Sequence, residues 1–216
     1  MAVAGKEPAG APDMRERILD TATRMIEEEE AADGLSMRKL AAELGVAPTA
    51  IYWHVGNRQE LLDQLVTRMI AGVGVPQPAG ETPLERMASI ARWIREKVLA
   101  RPHLVSLAHE RGRTAELYFP AQSALAREIS AAGLEGPEAA LAVRTVLFFV
   151  GGLIMVETSE LVSPHLATGE LWSTAGIDAD LAAHLAEDVD FDELFEHSLA
   201  ALLRAVTAGD VAARRP

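Results

Sequence analysis

Cysteine is missing altogether. Its absence excludes a disulfide framework and any thiolate metal site, and it agrees with a reducing, cytoplasmic setting. Aromatic residues are scarce, at 5% of the chain, so any place where they cluster stands out. No strand-period segment of any length competes with helical spacing, and there is no internal repeat or sustained heptad. Positive charge is outweighed: 20 Lys and Arg stand against 32 Asp and Glu, for a net charge of −12. Taken as a whole-chain sum, that balance argues against a nucleic-acid partner. Long hydrophobic runs are lacking too. The most apolar, Val146–Val156, falls short of the about 20 residues that cross a bilayer, so it reads as a buried helix and implies no membrane partner. Residues 1–12 are rich in Pro, Gly and Ala without the apolar stretch of a signal peptide, and read as a disordered lead.

What is present is a large apolar fraction, 49% of 216 residues, enough for a small module and a larger domain. Nearly every segment reads as helix. Asp13-Met-Arg-Glu16 has the form of a capping box, followed at helical spacing by Ile18, Leu19, Ala22, Met25 and Ile26, with a stop at Gly34. Ser36 caps a short second helix carrying Leu40 and Leu44, ended by Gly45. Pro48 suits the first position of a third helix, which Gly56 and Asn57 keep short. Asn57-Arg-Gln-Glu60 is a second capping box and opens a fourth helix with Leu61, Leu62, Leu65 and Met69. Residues 73–81 lie in the clearest linker pattern, Gly72–Glu81. Thr82-Pro-Leu-Glu85 is a third capping box, opening a helix with Leu84, Met87, Ala91, Ile94 and Val98 on one stripe. Further helices are expected over His103–Glu110, about Tyr118–Ala132, Pro137–Leu161 and Phe191–Ala208. Ser163–Asp190 is the least regular stretch. The expected organisation is all-α. A three-helix N-terminal module over 13–72 is followed by the linker 73–81, a larger helical domain over 82–209 and a tail over 210–216.

The segment Gly45-Val-Ala-Pro-Thr-Ala-Ile-Tyr-Trp-His54 carries the functional signal. Two short helices joined by a glycine-containing turn form a helix-turn-helix. With Ile51 and Val55 facing inward beside Leu40 and Leu44, the outside of the second helix shows Thr49, Ala50, Tyr52, Trp53 and His54. A merely solvated helix shows charge there. Small, hydroxyl and aromatic groups instead fit base edges, thymine methyls and sugar-phosphate. The acidic total does not contradict this, because phosphate contact depends on local charge. Between Leu35 and Arg58 the chain carries Arg38, Lys39 and Arg58 against Glu43 alone. The acids concentrate elsewhere, in Glu27–Glu30 and Glu187–Glu196. Competing structural roles exist: Tyr52 and Trp53 as core aromatics, His54 as a silent helix end, Lys39 as an ordinary solvated charge.

Residues 15–70 resemble the DNA-binding domain of the tetracycline-repressor (TetR) family. The likeness rests on Gly34-Leu-Ser-Met-Arg-Lys-Leu40, Leu44-Gly-Val46, Ile51-Tyr-Trp-His-Val55 and Asn57-Arg-Gln-Glu-Leu-Leu-Asp63. The Tyr-Trp-His triplet is similar to the tetracycline-responsive branch. The resemblance implies a transcriptional regulator, a repressor released from a palindromic DNA operator by a small molecule. It implies that Arg38 contacts a base or phosphate, that Pro48, Thr49 and Ala50 face base edges, that Tyr52, Trp53 and His54 meet the backbone with Tyr52 also near bases, and that Arg58 holds a phosphate. Ala47-Pro-Thr-Ala50 departs from the tetracycline repressor's reading residues, which implies a different operator. Beyond the linker the likeness is one of helical pattern only.

A single helix-turn-helix touches few base pairs, so such proteins dimerise. Residues 137–161 and 191–208 are the two most apolar late helices and the expected homodimer interface, with Gly151-Gly152 allowing close approach; packing of both in one monomer core is the competing reading. Candidate linings of a ligand pocket are Trp93, His103, His109, Tyr118, Phe119, Phe148, Met155 and Glu157, suited to an apolar or aromatic molecule. Magnesium-tetracycline, held in the tetracycline-responsive branch by histidines and a glutamate, is not implied. Gly74 stands at the first such position, Leu107 near the second, and Glu157 only close to the glutamate. An enzyme is the other class. The six histidines (54, 103, 109, 165, 184, 197) form no HExxH, no i,i+4 metal pair and no nucleophile elbow. No catalytic residue, metal or cofactor is therefore expected. A dimeric helical ligand-binding or interaction protein that leaves transcription alone would share the C-terminal pattern but has no use for the outward Thr49, Tyr52 and His54.

Overall fold

A computed structural model of the chain describes residues 13–29, 34–162, 176–185, 187 and 189–208. The readings placed on 1–12, Glu30, His165, much of Ser163–Asp190, Gly209 and 210–216 lie outside the described residues. The described residues form helices without strands: α1 Met14–Glu28, α2 Met37–Leu44, α3 Pro48–Val55, α4 Arg58–Val73, α5 Pro83–Leu99, α6 Pro102–Glu110, α7 Thr114–Ala131, α8 Gly136–Val162, α9 Ala179–Leu185 and α10 Phe191–Thr207. They divide into two units, Met1–Gly72 with His103–Thr114, and Val73–Pro102 with Ala115–Pro216. The sequence pattern had assigned α6 to the C-terminal domain; it groups with the N-terminal unit instead.

In the first unit α1 buries Ile18, Leu19, Ala22, Met25 and Ile26, as its spacing predicts. Its capping box does not form: Asp13 takes an extended backbone but its side chain makes no cap bond. The helix also stops at Glu28 with Glu29 as its cap, ahead of Gly34. Ion pairs join distant segments. Arg24 bridges Glu28 at 2.8 Å and Glu43 of α2 at 2.6 Å, and Arg68 of α4 pairs with Asp20. The reason α6 and the turn after it belong here is equally physical. Arg111 pairs with Asp63 at 2.6 Å, Arg113 donates to Thr67 at 2.6 Å, and the Leu104 amide reaches Glu27 at 3.3 Å.

In the second unit α5, α8 and α10 pack together. Met87, Ile90, Ala91, Ile94 and Val98 of α5 meet a core completed by Ala142, Val146, Val150 and Ile154 of α8 and by Phe195, Leu199, Leu203 and Val206 of α10. Leu84, expected on the stripe, is only half-buried. The Thr82 capping box is real: its hydroxyl accepts from the Glu85 amide at 3.2 Å, and Glu85 accepts from Thr82 at 2.9 Å and from Glu81 at 2.7 Å. These bonds hold the Glu85 carboxyl below its usual range, chiefly through the Thr82 amide. The Ala79 amide donates to Ser89 at 2.9 Å. The end of the expected linker is therefore strapped to α5. The helix α7 begins at Thr114, before the expected Tyr118, and runs through Pro120. A mid-helix proline removes one backbone bond and usually marks a start or a kink.

The helix that holds the apolar run Val146–Val156 is longer than the run itself. The helical span Gly136–Thr158, 23 residues with a mean hydropathy of 2.2, is long and apolar enough by length and composition to cross a bilayer, with 22% of its window buried. Phe148 and Met155 are 79% and 67% exposed, with Leu141 on the same side of α8.

The two capping patterns make a test. Thr82→Ala should lower stability by about 1 kcal/mol, because a working N-cap is lost. Asp13→Ala should leave stability within about 0.5 kcal/mol, since no cap bond is there to lose. Urea denaturation followed by circular dichroism measures both.

Candidate nucleic-acid interface

The geometry of the helix-turn-helix starts at its turn. Gly45 sits in the left-handed region, φ 68° and ψ 30°, where a side chain is disfavoured. Its amide donates to the Ala42 carbonyl at 3.2 Å and that of Val46 to Ala41 at 3.0 Å, so the last turn of α2 is closed by a Schellman pattern. The start of α2 is held by Ser36, whose hydroxyl accepts from the Lys39 amide at 3.1 Å. Pro48 opens α3 with Ala47 before it. Ile51 and Val55 are buried, at 0% and 2% exposure, together with Leu40 and Ala41. Leu44, expected inside with them, is half-buried at the end of α2, and Ala41 takes its place in the core.

A second turn fixes the other end. Gly56 has φ 75° and ψ −145°, a combination open essentially to glycine alone. A β-carbon there would stand 1.7 Å from the Glu60 carboxylate. That carboxylate accepts from the Asn57 amide at 2.7 Å, while Asn57 Oδ1 accepts from Gln59 and Glu60 amides at 2.9 and 3.1 Å. The expected capping box at Asn57 is thus formed. Sequence reasoning missed Gln64 and Arg15. Gln64 Nε2 donates to the Val55 carbonyl at 2.9 Å, and Arg15 donates to Gln64 Oε1 at 3.0 and 2.8 Å. This relay secures the end of α3 to α4 and α1. With 49 residues between Arg15 and Gln64, no local pattern signals it.

The outward residues follow. Tyr52 is 51% exposed and Trp53 86% exposed, so neither is a core aromatic. Pro48 and Thr49 are exposed, and Ala50 and His54 half-buried. Arg38 is exposed and, among the described residues, forms no ion pair or hydrogen bond through its side chain. Lys39 differs: it pairs with Glu29 at 3.2 Å. Arg58 turns inward, its Nε donating to the Leu35 carbonyl at 2.9 Å. This bond anchors the start of α4 to the residue just before Ser36. The structure therefore gathers Arg38, Pro48, Thr49, Ala50, Tyr52, Trp53 and His54 around one short helix-turn-helix, with Arg58 partly committed to holding it.

Residues 18–65 match the family described as bacterial regulatory proteins, tetR family. Those residues, at the N-terminal end of the chain, therefore carry a domain of that family. The class D tetracycline repressor of Escherichia coli is 42% identical over 57 residues, 26% of this chain and 26% of that protein. The match thus spans about a quarter of this curated relative's length. Among solved structures, ActR of Streptomyces coelicolor in complex with actinorhodin is 27% identical with a TM-score of 0.64, covering 92% of this chain and 99% of ActR. BioQ with its double-stranded DNA operator is 25% identical with a TM-score of 0.57, covering 91% of this chain and 99% of BioQ.

The candidate ligand residues are distributed over both units. His103 and His109 belong to the first unit, and His109 Nδ1 lies 2.6 Å from the Thr114 hydroxyl. Trp93, Tyr118, Phe119, Phe148, Met155 and Glu157 belong to the second. Glu157 is bound to Arg95 at 2.6 Å, both being about nine-tenths or more than four-fifths covered, at 12% and 16% exposure. Arg95 also bonds Asp192 at 2.6 Å and lies 5.1 Å over the Phe195 ring. Phe119, Phe148 and Met155 are exposed. Trp93 and Tyr118 are half-buried, and burial raises the Tyr118 hydroxyl above its ordinary pKa.

The contrast between the two arginines is testable. Arg58→Met should cost about 1–2 kcal/mol of stability through the lost bond to Leu35. Arg38→Met should cost less than about 0.5 kcal/mol. Chemical denaturation of both variants beside the parent chain decides it.

Proposed function

We propose that the chain is a dimeric, ligand-responsive transcriptional regulator, a repressor that a small molecule releases from a palindromic operator in the cytoplasm. One observation carries the reading: an eight-residue helix, fixed at both ends and buried along one side, presents Thr49, Tyr52 and Trp53 to solvent within a TetR-family domain. Two exposed aromatic rings on α3 and the exposed Arg38 on α2 suit a sugar-phosphate surface. BioQ, crystallised with its operator, supports DNA as the partner. In this reading Arg38 meets base or phosphate, Pro48, Thr49 and Ala50 face base edges, Tyr52, Trp53 and His54 meet the backbone, and Arg58 lies at a phosphate.

Dimerisation through 137–161 and 191–208 is supported by a second apolar stripe on α8. Leu141, Phe148 and Met155 are exposed on the side away from Ala142, Val146, Val150 and Ile154. A β-carbon on Gly152 would meet nothing within 4 Å, so another helix can approach closely there. A second copy covering this face explains the large exposed apolar area without a bilayer. The ligand is proposed by analogy with ActR, solved with actinorhodin. Trp93 and Tyr118, half-buried in the second unit, favour an apolar or aromatic molecule. By linkage, operator DNA and ligand each weaken the other's binding by the same factor. No catalytic step is part of this reading.

Two measurements test it. In a mobility-shift assay with DNA upstream of the chain's own gene, Tyr52→Ala should weaken binding by about tenfold or more, equal to about 1.4 kcal/mol. Replacing Arg38 by Ala should lower the salt slope by about 1 per lost phosphate contact. Unchanged binding in both variants would remove the proposed face. For the dimer, Phe148→Asp should convert the parent dimer to monomer in sedimentation equilibrium and abolish operator binding. A Phe148→Asp protein that stays dimeric would place the interface elsewhere.

A further inference from the structure

Helix α3 and its N-cap carry no Arg, Lys, Asn, Gln, Asp or Glu: the residues from 47 to 55 are Ala, Pro, Thr, Ala, Ile, Tyr, Trp, His and Val. Those six side chains are the ones that make paired hydrogen bonds to a base edge. The first turn of a recognition helix is the part that reaches the bases. Here that turn presents Ala47, Pro48 and Thr49 exposed and Ala50 half-exposed. Their outer surface is the alanine methyls, the proline ring and the threonine methyl, with one hydroxyl. Of the two cations on α2, Lys39 is held by Glu29 at 3.2 Å, and Arg38 is exposed and would meet base or phosphate from α2, not from α3. The rest of the α3 surface is Tyr52 and Trp53, two flat rings with one polar group each, and the half-buried His54.

We infer that α3 reads its half-site through the C5-methyl groups of thymine, by apolar contact from Ala47, Pro48, Thr49 and Ala50, and not by paired hydrogen bonds to base edges. The inference rests on the operator-binding reading and names the chemistry of the operator step under α3. In the major groove a thymine methyl is the one apolar mark that separates T·A from every other pair. A small, donor-poor turn can approach it closely, whereas a guanine or adenine edge facing the same turn would keep its acceptors without a partner and lose about the cost of an unmade bond.

The experiment uses the full chain and a duplex recovered from a random pool by binding to it. Each thymine of the half-site is then replaced by uracil, which removes the methyl and leaves every hydrogen-bonding group unchanged. At one or more adjacent positions the affinity should fall by about fourfold per methyl, the worth of one buried carbon group. Thr49→Val, which keeps a methyl and loses the hydroxyl, should retain the thymine preference, and Thr49→Ser, which keeps the hydroxyl and loses the methyl, should reduce it. Uracil tolerated within about twofold at every position overturns methyl reading while operator binding stands. A preference abolished by Thr49→Val and kept by Thr49→Ser assigns the contact to the hydroxyl and overturns it as well. If no duplex is enriched, the operator-binding reading fails and this one fails with it.

Discussion

An eight-residue helix has no stability of its own in water, because too few backbone bonds follow its costly first turn. The helix α3 exists only because Ile51 and Val55 are sealed against the first unit's core. Everything the candidate interface does depends on that burial. Two side chains four residues apart define one inward line and set the rotation of the helix about its axis. That rotation, in turn, leaves Thr49, Tyr52 and Trp53 outside. Burial alone would let the helix slide or fray, so both ends are stopped. Gly45 and Gly56 hold backbone angles that other residues reach only with strain. The last carbonyl of α3, on Val55, is bonded by Gln64, which Arg15 holds in turn. Precision at the outer face is thus a consequence of apolar contact on the inner face and of hydrogen bonds at the tips.

The chain's acidity shapes what this face can bind. Exposed ion pairs contribute little stability each, about 0–1 kcal/mol, so their main effect in the first unit is on charge. Arg24, Lys39, Arg68 and Arg111 are all neutralised by acids of the same unit. Among the described residues Arg38 has no ion pair, on a helix-turn-helix whose outer face is otherwise aromatic and small. A surface of this kind has weak long-range attraction for phosphate, since that attraction scales with unneutralised cations. Discrimination must then come from close contact and shape, which is what a rigidly seated α3 provides. Net negative charge over the rest of the chain works in the same direction by discouraging nonspecific association.

Much of this was legible in the sequence, for local reasons. Caps and stops are written within three or four residues, so Ser36, Gly45, Pro48, Asn57 and Thr82 located the ends of α2 to α5. The inward pair Ile51 and Val55 followed from spacing. What failed to be legible lies in long separations or in side-chain choice. Asp13 satisfies the capping pattern and its backbone suits the role, yet its side chain makes no bond. Pattern specifies opportunity, and the rotamer decides. The allegiance of α6 to the first unit depends on Arg111 meeting Asp63 across 48 residues. Glu157, a candidate ligand contact, is bound by Arg95 across 62 residues. Arg58 reads as a phosphate contact by position, but it also closes on Leu35, which no spacing rule would indicate.

The helix α8 shows why periodicity must be read together with packing. Ala142, Val146, Val150 and Ile154 recur every four residues and are buried. A helix serving only that core would show polar residues on its other side. Instead Leu141, Phe148, Gly152 and Met155 lie there, interrupted by Arg144. A bilayer and a second protein surface both answer to such a side, but they make different demands on the rest of the helix. Inside a bilayer the Arg95–Glu157 pair would place two charges at a cost of several kcal/mol unless it stayed fully satisfied. Here that pair, 16% and 12% exposed, is the bond that ties α8 to α5, and through Asp192 to α10. Drawing α8 into lipid would pull against it. Laying a second copy on the far side leaves it intact and covers Phe148 and Met155, so the same ion pair that commits Glu157 to the bundle interior favours a protein partner for the outer stripe.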